Sequence, residues 1–235
     1  MRKDKKKMLD IGCGPGTIGN IGYYKSVEKE YQIYGSDMLK ENISLIKKRY
    51  SDGMFSVGNA EKLPFPDEYF DAVVMRHVLE HVVDLEKTIR EVKRITKKEA
   101  IVTAAVPHKN LEFVLKHFIP HYLDEEHHHQ RIFTQKQLEK LFVDNHFTIL
   151  VSSQEKWPMF VVTVFLAFLS RITGNVTMQE QSGVFLLKKK NYLQNKSFYS
   201  LYSVLYRFFS FLNRFVFFFN YAIPFEVLVV AKKKI

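Results

Sequence analysis

Asp10-Ile11-Gly12-Cys13-Gly14-Pro15-Gly16 gathers residue types suited to holding a compact, positively charged ligand. A glycine turn between a strand and a helix lets a ligand approach the main chain and tolerates positive φ. It also aims backbone N–H groups and the positive helix end at the carboxyl edge of a sheet. Gly14, Gly16 and Gly19 fit G-x-G-x-x-G as well, so a nicotinamide or flavin dinucleotide, and with it an NAD-dependent oxidoreductase, is an alternative. Two residues weigh against a pyrophosphate. Asp10 adds negative charge where phosphates crowd, and Pro15 removes one N–H donor from the cradle.

Asp37 closes Gln32-Ile-Tyr-Gly-Ser-Asp about 20 positions after the loop, the spacing at which a carboxylate accepts ribose hydroxyls. A helix N-cap is the competing role for Asp37. Met38 follows and is placed to pack on an adenine ring. His77-Val78-Leu79-Glu80-His81 matches the H-x-x-E-H zinc signature, but that chemistry needs a helical frame and this segment directly follows an apolar strand. His127-His128-His129 reads as a solvated loop or as lining for an acceptor pocket, since consecutive residues rarely converge on one ion. No metal is expected.

These residues need a scaffold. From Met8 to about Phe147 short apolar runs alternate with helical periodicity, the pattern of a parallel sheet with crossover helices. Strands are expected near residues 8–11, 32–36, 54–57, 70–75, 100–106 and 147–152, with a last one at 226–231. The runs at 70–75 and 101–106 lack strict alternation, which places them in the middle of the sheet. Asp84 is a cap for a helix with Leu85, Ile89, Val92 and Ile95 on one face and Glu86 paired to Arg90 and Lys87 to Glu91 on another. Thr134-Gln-Lys-Gln137 is a capping box before Leu138, Leu141 and Phe142.

Leu9 to Gly16 resembles motif I of the class I S-adenosylmethionine-dependent methyltransferases, in particular the type 11 methyltransferase domain. Gly58 to Phe65 resembles their adenine-binding stretch, Phe70 to Val82 their following strand and loop, and Glu91 with Arg94 a helix pair, all in the family's order from about residue 8 to 152. The resemblance implies a Rossmann-like α/β fold with a seven-stranded sheet of order 3-2-1-4-5-7-6, the last strand antiparallel, and helices on both faces. It implies S-adenosylmethionine as cofactor. Asp10, Gly12, Cys13, Gly14 and Gly16 would surround its methionine part, Asp37 and Met38 its ribose and adenine, and Asn59, Ala60 and Glu61 the adenine edge, with Arg76 and His77 beside it. The implied activity is in-line transfer of a methyl group from sulfonium to an acceptor. For a hydroxyl acceptor, His81 and then His108 are the candidate general bases. Packing or capping is an equal alternative for both, because proximity alone suffices for many such transfers.

There are departures from the pattern. Asn59 stands where an aspartate is usual, and its amide oxygen is expected to accept from the adenine amino group. Lys97-Lys98-Glu99-Ala100 replaces the usual Lys-Pro-Gly-Gly turn. Only seven residues precede the first expected strand, so the segment after Ser153 is expected to supply the cover that relatives carry before theirs.

With 235 residues and 46% hydrophobic content, the chain can bury the core of one α/β domain with an elaboration. The organisation expected is a cofactor-binding core at 1–153, an aromatic helical insert at 154–224 and a final strand of the core sheet at 225–235. The apolar run 157–169 falls short of the roughly 20 residues of a spanning helix. In the run 198–222, Leu201, Leu205, Phe208, Leu212, Phe215 and Phe219 share a helical face, interrupted elsewhere by Arg207 and Arg214, as in a membrane-surface helix. A helical subdomain core accounts for the same pattern equally well.

Lysine runs at 188–190 and 232–234 and a net charge of +10 favour an anionic headgroup surface. The scattered lysines do not suggest a nucleic-acid groove. The single cysteine excludes an internal disulfide, and no secretory signal is recognisable. These features together suggest a cytoplasmic protein, peripheral on the inner membrane face, with a small or lipid-linked acceptor such as a quinone, isoprenoid, lipid or lipid-linked sugar. A non-catalytic, membrane-associated module that keeps the fold is the third alternative.

Overall fold

The structure, a computed structural model, describes residues 5–109, 129–156, 177–181, 184–188 and 224–234. The chain divides into two compact units. The first comprises Met1–Pro107, His129–Ser153 and Val227–Ile235, and the second His108–His128 and Gln154–Glu226.

In the first unit the order of elements is β1 (Lys6–Ile11), α1 (Ile18–Val27), β2 (Tyr31–Asp37), α2 (Lys40–Arg49), β3 (Met54–Val57), β4 (Phe70–Arg76), α3 (Leu85–Ile95), β5 (Thr96–Pro107), α4 (Gln135–Asp144) and β6 (Phe147–Lys156). Numbering the hairpin strands of the second unit β7 (Thr177–Gln181) and β8 (Val184–Lys188) makes the closing strand β9 (Pro224–Lys233). The large sheet runs β3-β2-β1-β4-β5-β9-β6. This is the expected seven-stranded order, with β9 in the place of the family's seventh strand and β4 at the centre.

Alternation along the strands builds one core on each face, because successive side chains point to opposite sides. Leu9, Ile11, Val73 and Met75 join Ile89, Val92 and Ile95 of α3 and Leu138, Leu141 and Phe142 of α4. Met8, Ala72 and Val74 face the other way, toward Tyr24 of α1 and Ile43 and Ile46 of α2.

Both expected caps form: Asp84 accepts from Lys87 N at 2.9 Å, and Thr134 with Gln137 makes a complete capping box. The expected Lys87–Glu91 pair gives way to tertiary partners. Glu91 turns its carboxylate to Arg94 Nε at 2.8 Å and to Leu63 N at 2.9 Å, leaving Lys87 a longer-range attraction.

Where the glycine turn is absent, Glu99 itself takes the left-handed conformation at φ 61, at a register shift between β4 and β5. In the second unit β7 and β8 pair antiparallel, with Thr177 opposite Lys188 and Gln181 opposite Val184. The sequence pointed to helices in this insert. The two apolar runs at 157–169 and 198–222, and the histidines before His129, lie outside the described residues. Among the described residues no helix is long and apolar enough to cross a membrane.

Candidate active site

The carboxyl ends of β1, β2 and β4 lie side by side, since Ile11 is in register with Ser36 of β2 and with Met75 of β4. The loops leaving these ends define the site. Gly12 N and Cys13 N both donate to Ser36 O, at 2.7 and 3.1 Å, which bends the chain sharply out of β1. Gly12 holds φ 70, and a Cβ there would lie 2.5 Å from Val78 Cγ2, so only glycine fits. At Gly14, φ 58, an added Cβ meets nothing within 4 Å, so the main chain faces open space there.

Partners that sequence reasoning missed hold the loop: Asn20 Nδ2 donates to Cys13 O at 3.1 Å, and Arg49 Nη1 to Pro15 O and Gly16 O at 3.0 and 3.1 Å. Cys13 itself turns its side chain into the core beside Tyr24 and Ile33, and burial pushes its thiol well above the usual range. Of the expected cofactor contacts, it offers main chain only.

Asp37 is not the N-cap of α2, a place that Leu39 takes; its carboxylate instead ties the turn before the helix to the glycine loop. Its Oδ1 accepts from Leu39 N at 2.9 Å and Asn42 Nδ2 at 3.0 Å at the entry to α2, while Oδ2 accepts from Gly14 N at 2.9 Å. A carboxylate offers about four acceptor positions, so three bonds leave one for a ribose hydroxyl. Met38 beside it is 71% exposed, an apolar surface for a ring to cover.

Asp10 is buried and accepts from the Tyr24 hydroxyl. Burial pushes its carboxyl up to about 7 despite the Tyr24 bond, and the nearby Asp37 carboxylate adds to the rise, while Arg76 lowers it. A carboxyl raised by burial and a neighbouring carboxylate is relieved by a bound cation. Carboxylates of this kind, open main chain at Gly14 and the exposed thioether of Met38 fit a nucleoside bearing an ammonium and a sulfonium.

The stretch read as adenine-binding is fixed from beneath. Arg94 donates to Leu63 O, Phe65 O and Asp67 Oδ1 at 3.2, 2.8 and 2.6 Å, besides its bonds to Glu91. The Glu61 carboxylate is taken by Val83 N and Asp84 N, both at 3.0 Å. Asn59 Oδ1 accepts from Glu61 N at 2.8 Å, closing a turn; an amide oxygen carries two lone pairs, so one accepted bond does not exhaust it. Ala60 is partly buried against the core.

At the end of β4, Arg76 is exposed. His77 has φ 54, an uncommon conformation for a residue with a side chain, and its N–H donates to Ala105 O at 2.9 Å. His81 is exposed in the turn beyond. His108 directly follows β5 and is buried, which together with Lys109 lowers its pKa.

A Rossmann-like sheet with a glycine cradle at its carboxyl edge and an acidic residue ending the second strand defines the nucleoside-cofactor-binding α/β class. The family model described as "Methyltransferase domain" matches residues 9–104. Residues 9–104 thus form a methyltransferase domain of the S-adenosylmethionine-dependent kind, with S-adenosylmethionine as its cofactor.

An uncharacterized methyltransferase of Schizosaccharomyces pombe is 36% identical over 106 residues, covering 40% of this chain and 37% of its own. The demethylmenaquinone methyltransferase of Thermotoga maritima is 31% identical over 94 residues, 40% of each chain. The matches thus span about two fifths of these relatives' lengths. A solved S-adenosylmethionine-dependent methyltransferase from Methanosarcina mazei shares the fold with a TM-score of 0.59 at 19% identity, over 99% of this chain and 94% of its own.

Proposed function

We propose that this protein transfers a methyl group from S-adenosylmethionine to a small lipophilic or lipid-linked acceptor. The observation that carries the reading is the bond from Gly14 N to Asp37 Oδ2, which joins the two family motifs into one cradle. When bound, the cofactor supplies an electrophilic methyl on a sulfonium centre. Gly12 and Gly14 would present main chain to its methionine part, Asp10 would face its cationic groups, and Asp37 and Met38 would hold ribose and adenine. Asn59, Ala60 and Glu61 would form the adenine wall, the first through its amide oxygen, which has a second lone pair for the adenine amino group, and the last by fixing the loop.

For a hydroxyl acceptor, His81 and His108 are the proposed bases. His108 is kept neutral near pH 7, as a base must be. The lipophilic acceptor rests on the likeness to a demethylmenaquinone methyltransferase and on the apolar runs flanked by lysines. Association with an anionic membrane face is part of the same proposal.

Calorimetry with S-adenosylmethionine, S-adenosylhomocysteine and NAD, followed by a methyl-transfer assay over hydroquinones, isoprenoid alcohols and amines, tests this. Micromolar binding of the first two and turnover on a lipophilic acceptor are expected. Binding of NAD alone overturns the donor assignment, and turnover confined to polar amines overturns the acceptor assignment.

A further inference from the structure

Histidines and a glutamate that the cofactor does not use converge from two separate segments. After β4 the chain makes one turn, with His81 N and Val82 N donating to Val78 O at 3.0 and 3.3 Å. This turn buries Glu80, 1% exposed, and leaves His81 at the surface. The segment before α4 is fastened onto it. Gln130 N donates to Glu80 O at 2.8 Å, and the Arg131 guanidinium donates to Leu79 O, Val82 O and Val83 O at 3.1, 2.5 and 3.0 Å. Those bonds carry His129 against His81, with ring centroids 4.6 Å apart at 68°. One ligand atom from each of Glu80, His81 and His129 lies within 4.8 Å of the others.

Glu80 sets this cluster apart from an ordinary histidine contact. Both carboxylate oxygens are buried and neither accepts a hydrogen bond; His77 Nδ1 stands 3.3 Å from Oε1 without hydrogen-bond alignment. A buried carboxylate lacking donors is strongly unfavourable unless a cation compensates it.

We propose that Glu80, His81 and His129 bind a divalent transition-metal ion of the Zn2+ kind. Two imidazoles and one carboxylate suit such an ion better than Mg2+ or Ca2+, which favour oxygen-only shells. Ligand atoms about 2.0–2.2 Å from one ion stand roughly 3–3.6 Å apart, so modest side-chain rotations complete the site. Three protein ligands leave a position open for an oxygen of another molecule. The set differs from the H-x-x-E-H motif, in which His77 and His81 would share a helical face. Here neighbours in a turn act with a residue from a distant segment. The site goes beyond the methyl-transfer reading; with the ion bound, His81 serves as a ligand and His108 remains as the proposed base.

The full chain, stripped with a chelator, is titrated with Zn2+ by calorimetry and with Co2+ by visible absorption. One ion per chain is expected. Glu80→Gln and His129→Ala should each weaken it at least about tenfold, as even outer-shell changes do, while S-adenosylhomocysteine binding stays unchanged and reports an intact fold. If Glu80→Gln does not fold, the half-buried His129→Ala decides. A His127→Ala/His128→Ala double variant should retain the ion. Absence of stoichiometric binding, indifference to Glu80→Gln and His129→Ala, or loss in the double variant overturns the proposal. Loss of S-adenosylhomocysteine binding by the unaltered chain, with Zn2+ retained, counts against the methyltransferase reading alone.

Discussion

Gly14 N donates to Asp37 Oδ2 at 2.9 Å, so the loop after β1 and the end of β2 act as one unit. The same carboxylate steadies the first turn of α2 through Leu39 N and Asn42 Nδ2. Asp37→Ala removes three internal bonds together with the proposed ribose contact. S-adenosylhomocysteine binding should weaken by roughly 1.5–3 kcal/mol, the usual worth of a hydrogen bond to a charged group, and calorimetry reads it. Asp37→Asn keeps an acceptor and should recover part of the loss.

Asp10 should make cofactor binding pH-dependent. Its carboxyl titrates near 7 in the folded chain against an ordinary 3.8, so below about 7 it is protonated and a bound cation must drive the proton off. Affinity for S-adenosylmethionine should fall as pH drops below that value, with proton release measurable by calorimetry in buffers of different ionisation enthalpy. For stability the sign is the reverse. A raised folded pKa contributes stability below 3.8 that is lost as pH rises through about 7. Asp10→Asn should therefore melt higher than the unaltered protein above pH 7, and the difference should vanish in acid.

Arg94 holds the 63–67 stretch through three oxygens and Glu91 through a paired contact. Arg94→Ala leaves part-buried carbonyls and the Glu91 carboxylate without their donor, but the guanidinium is 31% exposed, so solvent compensates some of the loss. A destabilisation of about 1–3 kcal/mol is expected, seen as a lower urea midpoint at unchanged m value.

Glu99 occupies φ 61. Glycine tolerates that conformation without strain, so Glu99→Gly should raise stability by about 1 kcal/mol. The exposed Glu99–Lys232 ion pair that it removes is worth little. Chemical denaturation checks the sign, and a loss would mean that the ion pair outweighs the strain.

Much of the framework was legible in the residues themselves because its causes are local. Caps at Asp84 and Thr134 act within three residues, and the apolar runs at 70–75 and 101–106 already marked strands covered on both faces. The glycine spacing at 12, 14 and 16 specified positive φ, which all three adopt.

What only the tertiary structure decided are the partners across long sequence distances. A carboxylate takes whichever donor the fold brings nearest. Glu91 therefore takes Leu63 N rather than Lys87, and Glu61 turns to Val83 and Asp84. The insert's hairpin at 177–188 escaped a reading tuned to helical stripes, since its short strands carry mixed polarity. No pattern within the histidine run announced that Arg131 would bind the 79–83 turn and bring His129 beside Glu80 and His81, because that juxtaposition depends on chain folding rather than on spacing.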